Sequence, residues 1–118
     1  MNGGEYVPDR GDVVWIDLNP VAGHEQAGRR PAVVLSPRRY NSRTDLMLIC
    51  PITRQVKGYI FEVSLPENLA VQGAVLADQV RSVDWRLRRV EFITRLPADV
   101  TEAVQGKSVK LITGDVVR

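Results

Sequence analysis

Gly23-His24-Glu25-Gln26-Ala27-Gly28-Arg29-Arg30-Pro31-Ala32-Val33-Val34-Leu35 joins a polar loop directly to an apolar run. Two glycines and a proline bracket an imidazole, a carboxylate and two guanidinium groups. Four apolar residues after such punctuation predict a buried strand. The ionisable groups are therefore expected on a loop that enters the core, where a rigid sheet can position them. Arg30 stands directly before Pro31, whose ring biases it toward extended geometry at the strand entrance.

The same pattern repeats on both sides of this stretch. Asp12 to Leu18 alternates, with Val14, Ile16 and Leu18 on one face and Trp15 on the other, and Asn19-Pro20 ends it. Ala32 to Ser36 is stopped by Pro37. Arg38 to Asp45 is polar and reads as a turn or one short helical turn. Leu46 to Thr53 forms the third strand, where Pro51 argues for an edge or a bulge. Ile60 to Leu65 is the fourth. Gly73 to Ala77 and Gln79 to Val83 read as one strand bent near Asp78, and Val90 to Leu96 closes the sheet. Pro97, Asp99 and Glu102 then open a helix. Val100, Ala103, Val104 and Leu111 are its apolar stripe, Gly106 weakens it, and Gly114 stops it. The expected class is mainly β with α: a curved antiparallel sheet or small open SH3-like barrel with a C-terminal helix.

The chain has 118 residues, of which 44% are hydrophobic and 25% charged, and it is read as one domain over residues 1–118. No apolar run approaches bilayer length, and Met1-Asn2-Gly3-Gly4-Glu5 lacks the pattern of a signal peptide, so a cytoplasmic protein is expected. Cys50 is the single cysteine, cannot form an internal disulfide, and reads as a small core residue. Net charge is only +2, a weak argument for nucleic acid, but three of the sixteen basic residues are lysines and thirteen are arginines. Guanidinium is planar and holds two phosphate oxygens at once.

Phosphodiester cleavage in RNA needs a group to take the 2′-hydroxyl proton, a cation to stabilise the phosphorane, and help for the leaving 5′-oxygen. Glu25 is a candidate proton acceptor, Arg30 the transition-state clamp, and Arg29 an outer phosphate contact or a solvated neighbour. His24, the only histidine, could serve as acid or base near pH 7. One His and one Cys do not make a usual zinc site, and acidic residues are scattered, so no metal or other cofactor is expected. Neither a phosphate-cradling GxxxxGK[ST] loop nor a Gly-x-Ser-x-Gly elbow is present.

Tyr6-Val7-Pro8-Asp9 with Gly11-Asp12, the Gly23 to Pro37 segment, Tyr40-Asn41, Pro51-Ile52-Thr53, Lys57-Gly58-Tyr59, Phe61-Glu62-Val63, Ala77-Asp78-Gln79-Val80 and Trp85-Arg86 run in the order found in one family. Over residues 6 to about 89 the chain resembles the MazF family of toxin endoribonucleases. The resemblance implies a barrel-like sheet with a C-terminal helix and a two-fold homodimer. It implies cleavage of single-stranded RNA at short sequences without metal, giving 2′,3′-cyclic phosphate and 5′-hydroxyl ends and inhibiting translation and growth. It also implies a cognate MazE-like antitoxin that blocks the RNA groove. By motif, the catalytic arginine is Arg30, its partner is Thr53, and Glu25 and His24 contribute to the site. Asp78 matches an acidic residue used in Kid-type members, but their accompanying arginine is Leu76 here, which favours Glu25, Arg30 and Thr53.

Lys57 and Arg86 fall in segments that contact RNA in the family. Tyr40 and Tyr59, in polar surroundings, are candidates for stacking on bases, and Trp15 for the dimer or antitoxin interface. Two other readings compete: a CcdB-like gyrase-binding toxin without chemistry, and an RNA-binding module that has lost catalysis. Glu25, Arg30 and Thr53 together favour the enzyme.

Overall fold

The computed structural model describes residues 5–19, 23–24 and 26–115. The elements are β1 (Asp12–Asp17), β2 (Arg29–Val34), α1 (Arg38–Thr44), β3 (Leu46–Thr53), β4 (Glu62–Ser64), β5 (Ala74–Leu76), β6 (Arg81–Asp84), a short 3-10 turn (Trp85–Leu87), β7 (Glu91–Arg95) and α2 (Ala98–Thr113). Every strand pairing is antiparallel. The order is β4-β5-β3-β2-β1-β7, with β6 also on β3, so the sheet is open.

Alternation explains the two cores. Val13 packs with Val33, Cys50, Ile52, Val75 and Val104 on the face covered by α2. Val14 and Ile16 point the other way and pack with Ala32, Val34, Met47, Ile49, Val83 and Trp85. A strand buried on both faces is apolar at successive positions, and in β1 only Trp15 is exposed.

Strand β3 has the bounds expected from sequence, but it is central rather than an edge. Its first half, Leu46 to Ile49, pairs with β6, and Ile52 and Thr53 pair with β5. Pro51 sits between the two. Leu48 faces β2, because the Leu35 N–H donates to its carbonyl (2.8 Å) and its own N–H donates to Ser36 Oγ (2.9 Å). Alternation then turns the Pro51 nitrogen to the opposite side, where one neighbour strand gives way to the next. A proline there removes no ladder bond. For the same reason the expected single strand bent near Asp78 is two strands, each serving one half of β3.

Other differences are local. The β2 ladder begins at Arg29, so Arg29 and Arg30 lie on the strand itself, paired with Asp17 and Ile16. The polar stretch after Pro37 completes a seven-residue helix. In α2 Val104 of the expected stripe is buried and Val100 packs against the core, but Ala103 and Leu111 are exposed and the buried face is completed by Thr101 and Ser108. The polar pair is tolerated because the Thr101 hydroxyl donates to the Pro97 carbonyl (3.3 Å) and the Ser108 hydroxyl to that of Ala77 (2.7 Å).

Two buried polar hubs tie the ends together. The Asp12 carboxylate accepts from the Tyr6 hydroxyl (2.6 Å), the Asp9 N–H (3.0 Å) and Arg95 Nη1 (2.7 Å). Burial, and then this bond to Asp12, push the Tyr6 phenol well above its ordinary value. Asn41 donates to the Pro8 and Ser36 carbonyls, accepts from the Ser36 hydroxyl, and its own carbonyl receives the Trp85 indole N–H.

Gly106 lies inside α2, and a Cβ there would meet no atom within 4 Å. Gly106→Ala should therefore stabilise the fold by about 0.5–1 kcal/mol, read as a raised unfolding midpoint in urea. Burial pushes the Cys50 thiol up to about 12 from an ordinary 9.0, against a lowering contact with Ser108. The fold thus disfavours the thiolate, and this contribution is lost as pH rises above about 9, where the unfolded chain ionises first. At pH 8.5 an alkylating reagent should label Cys50 only in denaturant; rapid labelling of the native protein would contradict the burial.

Candidate active site

A cleft of about 500 Å³ opens where β3 passes from β6 to β5, lined by His24, Gln26, Thr53, Gln55, Lys57, Tyr59, Glu62, Leu76, Asp78 and Gln79. These residues come from four segments: the β1–β2 loop, the end of β3 with its following loop, the start of β4, and the end of β5 with the turn that leads to β6. A smaller cavity of about 200 Å³ shares Gln26, Asp78 and Gln79 and reaches Pro51 and Leu18.

Thr53 is buried at the end of β3, and its Oγ1 accepts the Gln55 N–H at 3.1 Å. The hydroxyl proton remains able to donate. Behind it stands Gly73 at φ +120°, so close that a Cβ would lie 2.1 Å from the Thr53 carbonyl oxygen. Only glycine fits that backbone and that approach. Ala32 pairs with Pro51 and Val34 with Ile49, so the β2–β3 register, continued two residues, sets Arg30 opposite Thr53. Arg30 Nε donates to the Ala27 carbonyl at 2.7 Å, reaching back from β2 to the loop before it. Arg30 is not among the residues that line the cleft.

Tyr59 and Asp78 meet across the cleft. The Tyr59 hydroxyl donates to Asp78 Oδ2 at 2.8 Å, and this bond raises the phenol above its ordinary value. Asp78 Oδ1 is buried and has no hydrogen-bond partner among the described residues. An acceptor in that position favours a ligand that brings a donor. Gln79 Oε1 accepts the Gln26 N–H at 3.1 Å, which fastens the β1–β2 loop to the turn after β5.

The residues expected from sequence therefore divide. His24, Thr53, Lys57, Tyr59 and Asp78 share the cleft, and Glu25 lies outside the described residues. Arg29, Tyr40 and Arg86 lie elsewhere. Arg29 is paired with Asp17 (3.1 Å) and Glu91 (2.5 Å); burial alone would lower its pKa, and these two bonds raise it. Arg86 bonds Asp45 (2.6 Å) and Glu5 (2.5 Å) and lies 4.5 Å above the Trp85 ring, holding α1 to the turn after β6. Tyr40 is exposed on α1. The reading from sequence did not single out Gln26, Gln55, Glu62 and Gln79. Gln26, Glu62 and Gln79 stand inside motifs whose order was legible, but their chemistry is ordinary until the fold gathers them. Among the described residues no three His, Cys, Asp or Glu side chains come together to hold a metal ion.

Comparison with known proteins places the chain in a family. Residues 9–111 match the family described as PemK-like, MazF-like toxin of type II toxin-antitoxin system. The chain is 55% identical over 83 residues to the endoribonuclease toxin MazF of Escherichia coli K12, covering 70% of this chain and 74% of that protein. Among solved structures, MazF from Deinococcus radiodurans superposes with a TM-score of 0.90 at 56% identity, over 92% of this chain and 99% of that one. A MazE-MazF structure from the same organism matches with a TM-score of 0.82 at 51% identity, over 92% and 97%.

Because Gly73 backs Thr53, Gly73→Ala should destabilise the fold by about 1–3 kcal/mol through strain and a displaced β3 end. The check is a urea melt alongside the equally conservative Gly106→Ala, which should move the opposite way.

Proposed function

The chain belongs to the PemK-like, MazF-like family of toxins of type II toxin-antitoxin systems, and from that membership we infer that it is an endoribonuclease toxin acting on single-stranded RNA. The observation that carries the reading is the cleft itself, which brings one imidazole, one ammonium, one free hydroxyl donor and one unsatisfied carboxylate oxygen to a single opening. A surface that only docked onto a protein target would have little use for a concave set of convergent polar groups.

The reaction this supports is transfer within the RNA. A base, Glu25 or His24, takes the 2′-hydroxyl proton, and the freed oxygen attacks the adjacent phosphorus. The bond to the 5′-oxygen breaks, and that oxygen leaves with a proton given by His24 or Glu25, whichever then carries one. The products are a 2′,3′-cyclic phosphate and a 5′-hydroxyl end, with no metal required. Arg30 stabilises the phosphorane oxygens, and Thr53 donates to one of them or orients the guanidinium. Lys57 contacts the backbone, Tyr59 stacks on a base, and Asp78 takes a base donor. Arg29, Tyr40 and Arg86 do not line the cleft, and any RNA contact of theirs is with nucleotides that extend beyond it. The cut inhibits translation and so growth. Relatives include a MazE-MazF complex, and a cognate antitoxin for this chain follows by analogy, as do a homodimer and a cytoplasmic location. Among the described residues no helix is long and apolar enough to cross a membrane.

Purified protein incubated with a defined single-stranded RNA in EDTA should cut it, leaving ends that carry cyclic phosphate. Arg30→Ala should lower turnover by at least about 10²-fold, the scale of losing one transition-state donor, with its melting profile retained. Intact RNA with the parent protein would defeat the reading, and undiminished cutting by the variant would remove Arg30 from the mechanism.

A further inference from the structure

The loop between β3 and β4 supplies Lys57 and Tyr59 to the cleft, yet it has no regular secondary structure and is exposed from Arg54 to Ile60. An exposed loop of this kind is ordinarily mobile. Here one carboxylate holds it. Glu62, the first residue of β4, accepts the Lys57 N–H at 3.0 Å on Oε2 and 3.3 Å on Oε1, and the Gly58 N–H at 3.0 Å on Oε1. Its own N–H donates to the Tyr59 carbonyl at 2.9 Å, closing the turn at both ends. Gly58 takes φ +77°, the left-handed geometry that points two successive amides at one anion. Lys107 of α2 donates to the Ile60 carbonyl and fastens the far side.

We propose that Glu62 is a positioning residue for substrate binding: by gripping the amides of Lys57 and Gly58 it sets the Lys57 ammonium and the Tyr59 ring in the cleft before RNA arrives. This rests on the endoribonuclease reading. Glu62 lines the cleft, but its oxygens are taken by backbone amides, so it acts through the loop and not on the reacting atoms. A carboxylate suits the task because both oxygens accept and its charge strengthens each bond. Glutamine offers one accepting oxygen and turns an NH₂ toward the amides, so it can restore the grip only in part.

Glu62→Ala should raise the KM for single-stranded RNA about tenfold and leave kcat within about twofold, the pattern of lost ground-state binding. Glu62→Gln should fall between. In a Lys57→Ala background Glu62→Ala should cost clearly less than it does alone, because the part of its effect that passes through the ammonium is already gone and only the Tyr59 part remains. Amide exchange in Glu62→Ala should quicken at Lys57 and Gly58 and stay unchanged in β1 to β3, which a general loss of stability would not do. An unaltered KM, a loss confined to kcat, or full additivity with Lys57→Ala would overturn the proposal. If the parent chain cut no RNA, the functional reading would fall, and exchange would still decide the clamp: unchanged protection at those two amides in Glu62→Ala would refute it.

Discussion

The architecture turns on the division of strand β3 between two partners on one side. A strand whose flank is served first by β6 and then by β5 must carry a point where neither reaches it, and Pro51 occupies that point with a nitrogen that cannot donate. The chain between β5 and β6 is thereby released from the sheet, and Asp78 and Gln79 turn into the gap. The cleft is thus a planned interruption of the ladder, floored by Thr53 at the end of the continuous part. Gly73 maintains it from behind, since the closeness of its backbone to Thr53 leaves no room for a side chain.

Much of this was legible in the residue order. The alternation of Asp12 to Leu18 placed Val14 and Ile16 together and Trp15 apart, and the structure agrees. The third strand was bounded at Leu46 and Thr53 by composition alone, because polar residues precede it and follow it. What pattern could not convey was how many neighbours β3 has, so Pro51 read as an edge mark. Local periodicity describes one strand at a time, while partner number is a property of the whole sheet. The buried face of α2 was displaced for a related reason. Thr101 and Ser108 are acceptable inside only because particular carbonyls wait for their hydroxyls.

The candidate site was legible unevenly. His24, Thr53, Lys57, Tyr59 and Asp78 were singled out and do converge. Arg29 was singled out for its chemistry and Arg86 for its place in a family segment, and both lie elsewhere, because each finds carboxylates remote in sequence. For Arg86 the partners are 41 and 81 residues away. A guanidinium free to bind and one already neutralised look identical in a string of letters. Glu62 shows the converse: an unremarkable acid in a short strand becomes an organiser of the cleft wall once Gly58 bends the chain back toward it.

Those internal ion pairs also bear on how the molecule meets a polyanion. Arg29, Arg86, Arg89 and Arg95 each face a carboxylate of their own chain, and among the described residues Lys57 is the one lysine or arginine that lines the cleft. Those four arginines are already neutralised within the chain and add little to the release of condensed cations when a strand settles, so the logarithm of affinity should fall less steeply with the logarithm of ionic strength than thirteen arginines would suggest. Where the guanidinium charge is spent inside the fold, a polyanion is sorted by the shape of the opening and by the bare Asp78 oxygen rather than by bulk positive potential.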